Sequence, residues 1–161
     1  GVIDATVDDF ISRKVDNTLV IATSATIKSK KYPDTIKQID SSIKTYSLAT
    51  PKLVPLVESG MYKEGIYEVL HEYLDNYLGK VQSIILGCTH YPILKEQIKR
   101  VLPNIQYVSS SEAISKNVKA FLTDKNLLNI NPDNYIKIYT TGETEEFRYS
   151  SSGKEYDRAF K

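Results

Sequence analysis

The 161-residue chain has one cysteine, one methionine, no tryptophan and two histidines. A lone thiol excludes an internal disulfide framework and any cysteine-rich metal cluster, and it suits a reducing compartment. Glycine is sparse at seven residues. None of these glycines builds a Gly-x-Gly-x-x-Gly or Walker-type loop, so no dinucleotide or nucleoside triphosphate cofactor is implied. No His–Glu pair has the spacing of a zinc protease, so no metal is expected either. No apolar run approaches the roughly 18 residues of a membrane span. Gly1-Val2-Ile3-Asp4 lacks the basic-then-apolar pattern of a signal peptide. It also lacks an initiator Met, which fits a fragment, a processed chain or a trimmed one. Charge of one sign is missing too. Lys and Arg number 21 against 20 Asp and Glu, a net charge of +1, which excludes the basic footprint of a nucleic-acid binder. The twelve tyrosines are scattered rather than striped with Arg.

What is present is the composition of a folded globular chain, 41% apolar and 25% charged. Short β-branched apolar runs alternate with longer helical patterns. Thr18–Thr23 reads as a buried strand. Ser24–Tyr32 reads as a polar turn with a possible helix start. Thr35–Ser42, with Ile36, Ile39 and Ile43 spaced by three and four, reads as a helix. Lys44–Thr50 fits a short strand. Two prolines punctuate Pro51–Pro55, so helix before Pro55 is not expected. Ile66–Leu78 carries an apolar face through Ile66, Val69, Leu70, Tyr73, Leu74 and Tyr77, and His71 falls off that face towards solvent. Val81–Gly87 reads as a second buried strand, Ile93–Leu102 as helix and Ile105–Val108 as a short strand. Ser109 and Glu112 have capping-box spacing ahead of a helix through Leu122. Asn126–Asn134 reads as a linker, Tyr135–Thr141 as a strand and residues 142–161 as a loose tail. The expected fold class is therefore α/β, a parallel sheet flanked by helices.

In such sheets ligands sit at the carboxyl ends of the strands. Two motifs fall there: Thr23-Ser24-Ala25-Thr26 and Gly87-Cys88-Thr89-His90. A free cysteine is ordinarily a small buried apolar residue. Gly87, by contrast, suggests a sharp turn at the strand tip, and helix N-termini favour thiolates. His90 lies two residues on, within reach as an acid or base partner, and the amides of Cys88 and Thr89 are placed to hold a carboxylate. Thr23 and Thr26 are either an anion-binding pair or a helix-capping turn, and spacing alone favours the cap. Glu58 on its own reads as a surface carboxylate. Lys28-Ser29-Lys30-Lys31 reads as a solvated face.

Three stretches together resemble the glutamate racemases of the aspartate/glutamate racemase family. Ala22-Thr23-Ser24-Ala25-Thr26-Ile27-Lys28-Ser29, with Tyr32, is similar to the family's Thr-x-x-Thr segment, and Leu53-Val54-Pro55-Leu56-Val57-Glu58 to its Val-Pro-Leu-Val-Glu segment. Leu86-Gly87-Cys88-Thr89-His90-Tyr91-Pro92 resembles the motif of its second catalytic cysteine. Gly1-Val2-Ile3 is similar to the crossing between its domains, and Thr140-Thr141-Gly142-Glu143 with Phe147 to a segment near its C-terminus. Two departures stand out. Thr50 occupies a position where many members have a non-catalytic Cys, and Ser109-Ser110-Ser111 replaces an Asp-Ser-Gly run.

The resemblance implies two similar α/β domains with the active site between them. Residues 1–92 would form the second domain, carrying Cys88. Residues 93–161 would return to complete the first, and would be less stable without the sheet they dock on. The family's first catalytic Cys, in a Cys-Asn-Thr motif, does not occur in this sequence, and its Asp-Ser motif near the start of the protein has no counterpart at the start of this one, so an N-terminal half is the implied partner. The implied reaction is cofactor-independent interconversion of L- and D-glutamate by two thiols on opposite faces, supplying D-glutamate for cell-wall peptidoglycan in the bacterial cytoplasm. Cys88 would be the acid/base facing the L-enantiomer, His90 and Glu58 would assist it, and Thr89, Thr26 and Thr23 would contact substrate. A homodimer is a further implied state. Two alternatives stay open: an inert fragment of that enzyme, and a Cys–His hydrolase or acyl transferase with Cys88 as nucleophile.

Overall fold

The computed structural model describes residues 1–60 and 65–128. The element order is α1 (Val2–Ile11), β1 (Asn17–Ala22), α2 (Ser24–Lys28), α3 (Lys31–Ile39), β2 (Lys44–Ala49), α4 (Leu53–Glu58), α5 (Ile66–Leu74), β3 (Ser83–Leu86), α6 (Lys95–Val101), β4 (Gln106–Ser109) and α7 (Ser110–Asp124). The four strands form one sheet in the order β2-β1-β3-β4, and each neighbouring pair runs parallel.

β1 and β3 lie in the middle, which explains their unbroken apolar runs. Leu19, Ile21, Ile84 and Leu86 face one layer, built by α4, α5 and α6 through Leu53, Val57, Ile66, Leu70, Leu74 and Ile98. Val20 and Ile85 face the other layer, where Val7 and Phe10 of α1 meet Tyr32 and Ile36 of α3. These strand side chains have no solvent exposure, and full burial of each contributes about 1.5–3 kcal/mol. β2 is an edge strand. Its exposed Lys44 and Ser47 mark the side that meets water, as edge strands require.

Most of the expected elements form, with shifted ends. The structure differs from the sequence reading in four places. Helix α4 starts at Leu53, ahead of Pro55. Pro55 is its third residue, where the backbone N–H has no partner within the helix and its loss costs nothing. Pro33 occupies the same position in α3. Second, Ile66–Leu78 is α-helical only to Leu74 and then tightens into a 3-10 turn, Asp75–Tyr77. Third, Ser109 stands before α7 without a capping side chain. Its hydroxyl pairs with Ser111 at 2.8 Å, while Glu112 is drawn outward to Lys95 at 2.8 Å. Fourth, α1 was not anticipated, because its apolar Val7 and Phe10 are diluted by the acidic Asp4, Asp8 and Asp9.

The sheet also continues past residue 92. β4 pairs with β3, and Lys116 of α7 reaches Asp9 of α1 at 2.7 Å. Residues 126–128 of the expected linker follow α7 outside any helix or strand, and the rest of that linker, the strand Tyr135–Thr141, the Thr140–Glu143 and Phe147 segment and the tail lie outside the described residues. His71 is half exposed and pairs with Asp75, as its place off the apolar face of α5 requires.

Candidate active site

The chain runs from β1 to its neighbour β2 on one side, then crosses to β3 on the other. The strand order therefore reverses between β1 and β3, and the crevice at their carboxyl ends is where open α/β sheets bind ligands. β1 delivers Thr23 to this point and β3 delivers Cys88.

Gly87 holds the two strand ends together. Its N–H donates to the carbonyl of Ile21 at 2.9 Å. A Cβ here would lie 3.0 Å from that carbonyl, 3.2 Å from Ala22 Cβ and 3.2 Å from Tyr32 Cε2. Its φ is not among the positive ones. The glycine is thus required for close approach, and not for the sharp turn that the sequence suggested.

Cys88 is partly buried. Its Sγ lies 3.8 Å from His90 Nδ1. The other ring nitrogen, Nε2, lies 3.2 Å from Glu58 Oε1, with His90 30% and Glu58 54% exposed. Glu58 ends α4, so one imidazole bridges a thiol from the loop after β3 and a carboxylate from the helix after β2. The Glu58 contact is an ion-pair distance, and the Cys88 contact fits either donor direction; with the proton on Nε2, the Nδ1 lone pair faces the sulfur. The arrangement places an imidazole between a thiol and a carboxylate, an order suited to moving a proton from sulfur to nitrogen.

The helix expected over Ile93–Leu102 is preceded by a four-residue 3-10 turn, Tyr91–Leu94. The α-helix begins at Lys95, so the thiol meets the 3-10 turn first. What does flank it are two tyrosines absent from the sequence-level candidates. Burial raises the hydroxyl pKa of Tyr32, and the nearby Cys88 adds to the shift. Burial likewise pushes Tyr91 up to about 12, against the hydrogen bond with Thr50 and with a further push from Cys88. The position of Tyr91 inside the Gly-Cys-Thr-His-Tyr-Pro run was the available signal.

Thr23 caps α2, its hydroxyl accepting from the Thr26 amide at 3.4 Å. The two hydroxyls are 3.1 Å apart. The capping geometry is present, and it leaves both threonines partly exposed beside the strand end that adjoins Cys88. Thr89 is exposed. Among the described residues no group of three or more His, Cys, Asp or Glu side chains forms a metal cluster. Among them, too, no helix is long and apolar enough to cross a membrane.

A family model described as Asp/Glu/Hydantoin racemase matches residues 1–117. The chain belongs to this racemase family. It is 40% identical over 127 residues to the glutamate racemase of Aquifex aeolicus, covering 78% of this chain and 49% of that protein. It is 41% identical over 130 residues to the glutamate racemase of Sulfurihydrogenibium, covering 80% and 48%. A crystal structure of Francisella tularensis glutamate racemase in complex with D-glutamate matches with a TM-score of 0.83 at 30% identity, over 99% of this chain and 61% of that one. The chain therefore spans about half the length of the racemases it resembles. The α/β fold expected from the alternating runs is the fold of these Asp/Glu racemase relatives.

Proposed function

We propose that this chain carries one of the two proton-transferring thiols of a glutamate racemase, with Cys88 as the base and acid on one face of the substrate. The carrying observation is the contact series Cys88–His90–Glu58 at 3.8 and 3.2 Å, at the reversal of strand order in a racemase-family fold. Removing the α-proton of an amino acid needs a thiolate held close to that carbon, with little water and fixed donors for the carboxylate. His90 takes the thiol proton through Nδ1 and Glu58 holds the ring through Nε2. Thr23, Thr26 and Thr89 supply hydroxyls around the crevice for the substrate's polar groups.

A single cysteine serves a single face. Inversion needs a donor on the opposite face, so the second thiol comes from outside these 161 residues, from an N-terminal half. Helix α7 supports this partner. Its exposed Val118 and Phe121 are 49% and 58% solvent-accessible and share one helix face with Ile114, which needs cover. The segment completing the first domain then begins with α7, and the unit carrying Cys88 includes β4. D-glutamate for cell-wall peptidoglycan is the product this reading assigns.

The test is protection of Cys88 from alkylation. Millimolar L-glutamate should slow iodoacetamide labelling of the intact chain, whereas L-aspartate should protect less. Equal labelling with and without glutamate would overturn the assignment of substrate. Formation of a stable thioester on Cys88 with an acyl donor would favour the hydrolase or transferase chemistry instead.

A further inference from the structure

Tyr91 is wholly buried, and so is Thr50. Their hydroxyl oxygens are 2.6 Å apart, and Tyr91 Oη also lies 3.3 Å from the Thr50 carbonyl. Thr50 follows the last residue of β2. Its amide donates to the carbonyl of Ala22, at the end of β1, at 3.0 Å. Its hydroxyl approaches the same carbonyl at 3.4 Å. Two hydroxyl protons serve these three contacts: either Thr50 donates to Ala22 and Tyr91 to Thr50 Oγ1, or Thr50 donates to Tyr91 and Tyr91 to the Thr50 carbonyl, and in both the two side chains are bonded to each other. The Tyr91 amide in turn donates to the Cys88 carbonyl at 3.1 Å.

These bonds close a ring. From Thr50 the chain enters α4, with the Leu53 amide donating to the Thr50 carbonyl at 3.2 Å. Helix α4 ends at Glu58, Glu58 meets His90, His90 precedes Tyr91, and Tyr91 returns to Thr50. The carboxylate, the imidazole and the thiol all hang on this ring, yet neither Thr50 nor Tyr91 reaches the crevice.

We propose that the buried Thr50–Tyr91 pair is a positioning device that sets the Cys88–His90 turn against Glu58, so that thiol, imidazole and carboxylate stay in line. The inference deepens the racemase reading and rests on it for the reaction, though not for the geometry. The pair is suited to the task. Tyr91 stays a protonated donor throughout the neutral range, and a buried hydroxyl stripped of its partner has no water to turn to.

The test uses the intact chain and three variants, Tyr91→Phe, Thr50→Val and Thr50→Ser, with circular dichroism to confirm folding. Two rates are read: alkylation of Cys88 by iodoacetamide, and deuterium uptake at the α-carbon of L-glutamate. A misplacement of about 1 Å costs on the order of 10–100-fold in such chemistry. Deuterium uptake should therefore fall by about that factor in Y91F and T50V. Alkylation should slow by about threefold or more as the thiol loses its imidazole neighbour. T50S, which keeps the hydroxyl, should return both rates towards the parent chain. If Y91F does not fold, the contrast between T50V and T50S decides. Folded Y91F or T50V with both rates within about twofold of the parent overturns the inference. A parent chain that takes up no deuterium, while its alkylation still depends on the pair, overturns the racemase reading and leaves the positioning role standing.

Discussion

At the scale of single residues, the site depends on how closely two strand ends approach. Gly87 is the clearest case. A methyl group there meets a backbone carbonyl, Ala22 Cβ and the Tyr32 ring, all at 3.0 to 3.2 Å. A backbone carbonyl inside a sheet has little room to yield. Gly87→Ala should destabilise the chain by about 1–3 kcal/mol, as overpacking does, measured by urea unfolding. It should also displace Cys88, so alkylation of the thiol should change in the variant. Unchanged stability and unchanged alkylation together would show that the strand ends are looser than this. The site residues differ in how legible they were. Cys88 and His90 are two residues apart in an unusual run, so local spacing exposed them. Glu58 lies 30 positions earlier in the chain, and nothing in its own neighbourhood distinguishes it from a surface carboxylate. Only the resemblance singled it out, and the fold supplies the physical reason by ending α4 opposite the His90 ring. The Gly87–Pro92 run marks the place of Tyr91 but not its partner, because the contact with Thr50 spans 41 positions.

At the scale of elements, the buried strands were readable and the helix boundaries were not. Thr18-Leu19-Val20-Ile21-Ala22 and Ser83-Ile84-Ile85-Leu86 lie between two helical layers, and covering both faces leaves a continuous apolar run in the sequence. Helix α4 was hidden by Pro55, whose cost vanishes in a first turn. Helix α1 was hidden by its charges, and one of these now has a structural role. Asp9 is 12% exposed and accepts from Arg13 at 2.7 Å and from Lys116 of α7 at 2.7 Å. Burial alone would raise its pKa, but the hydrogen bonds from Lys116 and Arg13 outweigh burial and hold it below the usual value of 3.8. A carboxylate with a depressed pKa contributes stability above that value and loses it as the pH falls through the lower, folded-state value. Asp9→Asn should therefore cost about 1–3 kcal/mol near neutral pH and should also remove part of the loss of stability in acid. Urea midpoints at pH 7 and pH 3 check both, and faster amide exchange in α7 should accompany the change. A variant with the parent's acid sensitivity would mean that the Asp9 cluster does not hold α7 on α1.

At the scale of the whole molecule, the reversal of strand order brings together parts of the chain that are distant in sequence. Thr23 after β1, Glu58 after β2 and Cys88 after β3 belong to three successive crossings, and the order β2-β1-β3-β4 gathers them at one end of the sheet. This assembly yields one thiol on one face. The match covers about half of the racemases it resembles, and helix α7 leaves the sheet with its apolar Val118 and Phe121 uncovered. On this account the chain alone moves a proton on and off one face of glutamate, and full inversion awaits a second thiol. The direct test is deuterium uptake at the α-carbon of L- and D-glutamate in heavy water, followed by NMR, with the chain and with Cys88→Ser. The account predicts uptake into L-glutamate that disappears in Cys88→Ser, with no D-glutamate formed. Uptake that survives the loss of the thiol, or no uptake into either enantiomer with the parent chain, would contradict it.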